Sequence, residues 1–248
     1  MELELVDISK TYNNNNNVCA IKSLNYTLDK SAICGIVGDS GCGKTTLLRI
    51  IAGLETPDNG IIKVNNNIVY DGWINVAPEK RQIGMVFQGN ALFPHMTVKN
   101  NITFGLEKDS LNSVNKLIEL FSLEDKINRY PHELSSGQMQ RVAIARTLAV
   151  QPKILLLDEP FSNLDLIAKS KLRTEIKKIA KILSITVFIV THDIFDALDI
   201  CDEIIFINNG ELIETCSSSD VKNLNDIKLK SYLKNMTDQA KRFISIIE

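Results

Sequence analysis

Ile33-Cys34-Gly35-Ile36-Val37-Gly38-Asp39-Ser40-Gly41-Cys42-Gly43-Lys44-Thr45-Thr46 is the stretch around which the chain is organised. A short apolar run meets a glycine-rich turn, and a Lys-Thr pair opens onto Leu47–Ala52, which the pattern predicts as helix. The spacing is G-x-x-x-x-G-K-[ST] in a strand–loop–helix context. Phosphate oxygens need several backbone N–H groups converging on one point, and bulky residues would block that approach. Gly38, Gly41 and Gly43 leave the room, with Asp39, Ser40, Cys42 and Thr46 completing the cradle. The helix start adds a positive dipole end where a β-phosphate would sit. Lys44 can bridge the β- and γ-phosphates, and the Thr45 hydroxyl can ligate Mg²⁺. The stretch reads as a nucleoside-triphosphate site, and an ordinary glycine turn before a helix is the weaker reading.

Composition sets the bounds around that loop. The 248 residues suffice for one large α/β domain or two small ones. Lys and Arg number 28 against 30 Asp and Glu, a net charge of −2 that gives no electrostatic reason to expect nucleic acid as a partner. Cys19, Cys34, Cys42, Cys201 and Cys216 show neither a C-x-x-C pair nor zinc spacing, so reduced thiols are expected. Cys42, in the loop near a helix start, is expected to be the reactive one. Met1–Leu5 alternates apolar and charged residues and does not read as a signal peptide. Apolar runs such as Ile154–Leu157 and Val187–Val190 have strand length, far below the roughly 18 residues of a membrane span. Any membrane this protein serves is expected to be crossed by other chains.

Along the chain, residues 3–8 and 21–28 predict strands, with Tyr12 and a polar run, Asn13–Asn17, between them. Tyr12 fits two roles, stacking on an adenine ring or packing at a strand end. Residues 61–64, 68–70 and 84–87 predict further strands, the last ending at Gln88, whose amide can approach a metal or an attacking water. From 89 to about 152 the texture is helical, with helices over 111–121 and 139–150. Leu134-Ser135-Ser136-Gly137-Gln138 opens the second, either as a plain N-cap or as a second anion-binding helix end. Ile154–Leu157 is a buried strand ending in Asp158 and Glu159: one carboxylate suits Mg²⁺, and the other suits a general base on water. Leu172, Ile176, Ile179 and Leu183 stripe a helix, Thr186–Val190 is another buried strand, and His192 closes it. Residues 203–208 and 211–214 flank Asn209-Gly210 as a hairpin. Leu229, Leu233, Met236, Ala240, Phe243 and Ile247 trace one face of a helix expected to pack on the body of the protein.

Together these stretches resemble the ATP-binding cassette family, the nucleotide-binding subunits of membrane transporters, over about residues 3–215. In the family's terms Gly38–Thr45 resembles Walker A, Gln88 the Q-loop glutamine, and Leu134–Gln138 the signature. Ile154–Asp158 resembles Walker B followed by Glu159, Ser162-Asn163-Leu164-Asp165 the D-loop, and His192 the switch histidine. Tyr12 matches the adenine-stacking aromatic. The stretch Val86–Val98 looks most like importers for polyamines, ferric iron, inorganic anions or sugars. The fold implied is a P-loop NTPase α/β core with an N-terminal antiparallel β-subdomain and a helical signature subdomain at about 89–152. An ATPase domain over 1–215 and a helical extension over 216–248 follow.

The resemblance further implies ATP and Mg²⁺, the metal organised by Thr45, Gln88 and Asp158. It implies hydrolysis through Lys44, Glu159 and His192, and Ser135, Ser136, Gly137 and Gln138 facing the ATP of a second cassette subunit. Integral membrane permease subunits and a solute-binding protein are the expected partners, at the inner face of the cell membrane. A cassette ATPase acting on DNA or ribosomes is the alternative, disfavoured because the chain has one phosphate loop and no sustained heptads. Two departures stand out: Ser136 occupies the signature's usual first glycine, and residues 216–248 are too few for the regulatory β-domain of many relatives.

Overall fold

The computed structural model describes residues 1–13, 17–29, 31–89, 91–106 and 111–221. Most of the Asn13–Asn17 run and the helix expected over 226–248 lie outside the described residues.

Two sheets share the chain. The first is antiparallel, formed by β1 (Leu3–Tyr12), β2 (Val18–Leu28), β4 (Asn59–Val64) and β5 (Asn67–Tyr70) in the order β2-β1-β4-β5. The second is six-stranded, in the order β10-β9-β3-β8-β7-β6. It contains β3 (Ile33–Val37), β6 (Ile83–Val86), β7 (Ile154–Asp158), β8 (Thr186–Thr191), β9 (Glu203–Asn208) and β10 (Glu211–Ser217). Its inner strands pair in parallel, and β10 closes one edge antiparallel to β9 through the Asn209-Gly210 turn. Asn209 (φ 48°) and Gly210 (φ 81°) both take the left-handed backbone that a two-residue hairpin requires.

The continuous apolar runs of β3, β7 and β8 follow from burial on both faces. Ile33, Val37, Leu155, Leu157, Val187 and Ile189 point into one core layer. Their alternates, Cys34, Ile36, Ile154, Leu156, Phe188 and Val190, point into the other. The first layer is closed by helices, chiefly α4 (Ser136–Ala149), α5 (Leu166–Leu183) and α6 (Ile194–Ile200), with α2 (Val98–Thr103) and α3 (Leu111–Leu120) beyond. The second is closed by α1 (Lys44–Ala52) and the antiparallel sheet. The expected α/β core, β-subdomain and helical insert are all present. The last strand runs to Ser217, past the expected boundary at 215, and Val221 is still buried in the core. Among the described residues, no helix is long and apolar enough to cross a membrane.

Candidate nucleotide site

Parallel strands deliver their loops to one edge. β3 leads to the glycine loop, β8 to His192, β7 to Asp158 and Glu159, and β6 to Gln88, in the spatial order β3-β8-β7-β6. Ligands gather outside the carboxyl ends of such strands.

The loop is held from below. Gly210 donates its N–H to the Cys42 carbonyl at 3.0 Å, fastening the β9–β10 turn to the loop. A Cβ on Gly38 would sit 2.1 Å from the Ile207 carbonyl oxygen, and Gly43 turns the chain into α1 at φ 106°. Those contacts, not only ligand access, require glycine here. No side chain caps α1, and its first turn carries no acid, so the positive end of the helix is left to an anion. Lys44 is buried, and its ammonium donates to the carbonyls of Gly38 (2.8 Å) and Asp39 (2.7 Å), so it lies along the loop. Asp39, Ser40 and Gly41 are exposed around it. Cys42 departs from expectation: its thiol is buried, and burial raises its pKa against the opposing pull of Lys44.

The Thr45 hydroxyl donates to Asp158 Oδ1 at 2.9 Å, which ties the start of α1 to the tip of β7. Burial pushes the Asp158 carboxyl above its ordinary value, and the Thr45 hydrogen bond opposes that shift. Glu159 takes φ 48°, an uncommon backbone for a residue before proline. Its N–H donates to Val190 O (3.0 Å), and the Ser162 hydroxyl donates to its carbonyl (3.1 Å). The twist turns its carboxylate toward His192, whose Nδ1 lies 3.1 Å from Glu159 Oε1. His192 itself follows β8 directly and precedes Asp193, the N-cap of α6. Gln88 is exposed two residues past Val86, which pairs with Leu157, so it stands beside the end of β7.

Six further expected residues sit on other elements. Tyr12 ends β1, its hydroxyl on Glu55 (3.2 Å) and the Lys10 ammonium 5.3 Å from its ring centroid. Asp165 is the N-cap of α5, accepting from the Ala168 N–H at 2.8 Å. Ser135 caps α4: its hydroxyl accepts from Gln138 N–H (3.3 Å), while Gln138 Oε1 accepts from Ser135 N–H (3.0 Å). This capping box takes the Ser135 hydroxyl that the sequence offers to an anion. Ser136 is exposed, whereas Gly137 is buried with its Cβ position 3.5 Å from Ala168 Cβ and 3.8 Å from Leu164 Cδ2, packing the start of α4 on the start of α5. Buried Arg81 and Asn101 escape sequence reading, because charged and amide residues default to the surface.

A sheet that brings a glycine loop, a helix start and a Thr–Asp link to one edge places the chain among the P-loop nucleotide-binding proteins. The sequence profile of the family described as ABC transporter matches residues 21–162. The sulfate/thiosulfate import ATP-binding protein CysA of Mesostigma viride is 43% identical over 89% of this chain and 63% of its own length. The spermidine/putrescine import ATP-binding protein PotA of Clostridium novyi is 41% identical over 90% of this chain and 65% of its length. The chain thus spans less than two thirds of either relative. Among solved structures, the ATP-binding cassette MJ0796, a dimer in a post-hydrolysis state bound to ADP and Pi, superposes with a TM-score of 0.76. It is 31% identical, covering 87% of this chain and 98% of that one. The chain belongs to the ABC transporter family.

Proposed function

We propose that this chain binds and hydrolyses ATP to power a membrane importer of a small solute, such as a polyamine, ferric iron or an inorganic anion. The observation that carries this reading is the convergence at one sheet edge of Lys44, the Thr45–Asp158 pair and the Glu159–His192 pair. Lys44 and the loop amides hold the phosphates, and Tyr12 stacks on the adenine. Glu159 accepts the proton of the attacking water, and His192 orients that carboxylate and the γ-phosphate. The donor set fits Mg²⁺: a hydroxyl and a carboxylate already 2.9 Å apart are hard oxygen ligands, with Gln88 close by. Among the described residues no cluster of three or more His, Cys, Asp or Glu could hold a metal alone. That suits a cation which takes one or two protein oxygens plus phosphate and water. Bound there, it would neutralise charge on the β- and γ-phosphates.

Two copies would sandwich two ATP molecules, each signature Ser135–Gln138 and D-loop Asp165 facing the other subunit's nucleotide. Integral membrane permease subunits would dock beside Gln88–Phe104, holding the cassette at the inner face of the cell membrane, with a solute-binding protein delivering cargo. Support comes from relatives named for import and from a dimeric cassette among solved structures. Relatives of near-equal identity are named for different cargoes, so identity does not choose among them. The test is Mg²⁺-dependent ATP turnover together with affinity capture of a multi-span membrane protein from native membranes. Turnover stimulated by DNA or ribosomes, with no membrane protein captured, would favour the alternative reading.

A further inference from the structure

Arg81 lies at the end of α1 remote from the phosphate loop. It is 2% exposed, and its guanidinium spends its donors on four acceptors. Nη1 reaches the carbonyls of Ile50 (3.0 Å) and Ile51 (3.1 Å), in the last turn of α1. Nε donates to Val76 O at 2.8 Å, and Nη2 donates to Asn75 Oδ1 at 3.0 Å. Burial lowers its pKa, and among the described residues no neighbouring carboxylate opposes that shift. The charge facing this cation is therefore the negative end of the α1 dipole, whose positive end serves the phosphates. Gly53 closes α1 beside it: a Cβ there would fall 2.5 Å from Arg81 Nε. Two residues after Arg81 β6 begins, and it runs toward Gln88.

We infer that Arg81 is a positioning residue for ATP hydrolysis, an inference that rests on the function proposed above. It locks the C-terminal end of the helix that starts with Lys44 and Thr45 to the segment leading into β6 and Gln88. A nine-residue helix is a lever of about 13 Å, so release at one end displaces the groups at the other. The planar fork is what makes the lock. A lysine ammonium keeps the charge but cannot reach two helix carbonyls, a loop carbonyl and an amide together.

The test compares wild type, Arg81→Lys and Arg81→Met for kcat, KM for MgATP and Tm, with kinetics run well below each Tm. Methionine fills similar volume without a buried charge but leaves four acceptors unpaired, so Tm is expected to fall. The expected result is a kcat about ten- to a hundredfold lower in Arg81→Met and intermediate in Arg81→Lys, with KM within about threefold of wild type. If Arg81→Met does not fold, Asn75→Ala releases Nη2 from an exposed partner, and kcat should fall about threefold at unchanged KM. Wild-type kcat in Arg81→Lys, or in Asn75→Ala where that variant stands in, overturns the inference alone. So does a fall in activity that only tracks Tm. Absence of turnover in wild type overturns the proposed function and this inference together.

Discussion

Asp158 carries opposing demands. Its carboxylate is buried at the tip of β7, and that burial favours the neutral form. A carboxyl whose folded-state pKa is raised contributes stability below its unfolded value, near 3.8, and loses it as pH rises through the folded value. Above that folded value the group therefore costs the protein stability. Asp158→Asn, which keeps Oδ1 as an acceptor for Thr45, should raise Tm at pH 7. The gain should narrow as the pH falls toward 3.8, while Mg²⁺-dependent turnover is lost. Thermal melts across that range without nucleotide check the sign, and a Tm below wild type at pH 7 contradicts it. At the neighbouring position, Glu159→Gln removes the base and keeps shape and hydrogen bonding. It should bind ATP normally, hydrolyse it orders of magnitude more slowly and accumulate as an ATP-bound dimer on size-exclusion chromatography. Near-normal turnover would refute the assignment. Both carboxylates were legible as candidates because the phosphate loop already in the sequence made an exposed acidic strand end the weaker reading. The Thr45–Asp158 and Glu159–His192 pairings were not, since the partners are far apart in sequence and the φ 48° twist of Glu159 leaves no trace in composition.

Elements were legible where burial on both faces imposes continuous apolar runs, as in β3, β7 and β8, and less so at their ends. β1 runs to Tyr12, beyond the residues 3–8 that alternate, because register shifts between Leu5 and Ile8 and again near Lys10 break the period-two pattern without ending the pairing. α4 starts at Ser136 rather than 139, since its first turn is held by the Ser135–Gln138 capping box and not by an apolar face. The segment after Gln88 owes its shape to one side chain that no periodicity reveals. Asn101, fully buried in α2, accepts from Phe93 N–H at 2.9 Å and donates to the carbonyls of Phe93, Met96 and Thr97. Beside it Phe93 and exposed Phe104 meet at 4.5 Å, and Arg146 stands over the Phe93 ring while donating to Ala91 O. This is the surface proposed for the permease. Asn101→Ala orphans buried groups, at about 1–3 kcal/mol each before relaxation, and should lower Tm by several degrees. Basal ATPase measured well below Tm should stay near wild type, because none of these atoms touches the phosphate loop. Stimulation by the reconstituted permease should fall. Equal stimulation of variant and wild type would remove the segment from the permease contact.

At the scale of the whole molecule, the helix start at Ser135–Gln138 is proposed to serve the nucleotide of a second copy. Ser135–Gln138 opens α4 in the helical insert, while the phosphate loop opens α1 on the other face of the six-stranded sheet. On the proposed reading, helix starts on opposite faces of the sheet serve different nucleotides. Across a two-fold axis, each signature would meet the other copy's loop, as an isologous dimer requires. The capping box constrains how. Ser135 holds its hydroxyl toward Gln138 N–H, so an incoming γ-phosphate must either share that hydroxyl or use the first-turn N–H groups beside it. Lys44→Ala removes a phosphate contact, and Ser135→Arg places a long cation where the γ-phosphate must approach. Each should be nearly inactive as a pure dimer. Mixed in equal amounts under subunit exchange, they form about half heterodimers, in which one composite site carries both lesions and the other carries neither. About a quarter of all sites are then intact, so the mixture should regain at most about a quarter of wild-type ATPase, and less if the two sites act in concert. Single-chain sites predict no recovery, because every copy then keeps its own lesion. If the mixture stays inactive while wild type mixed with either variant remains active, the shared site is wrong for this protein.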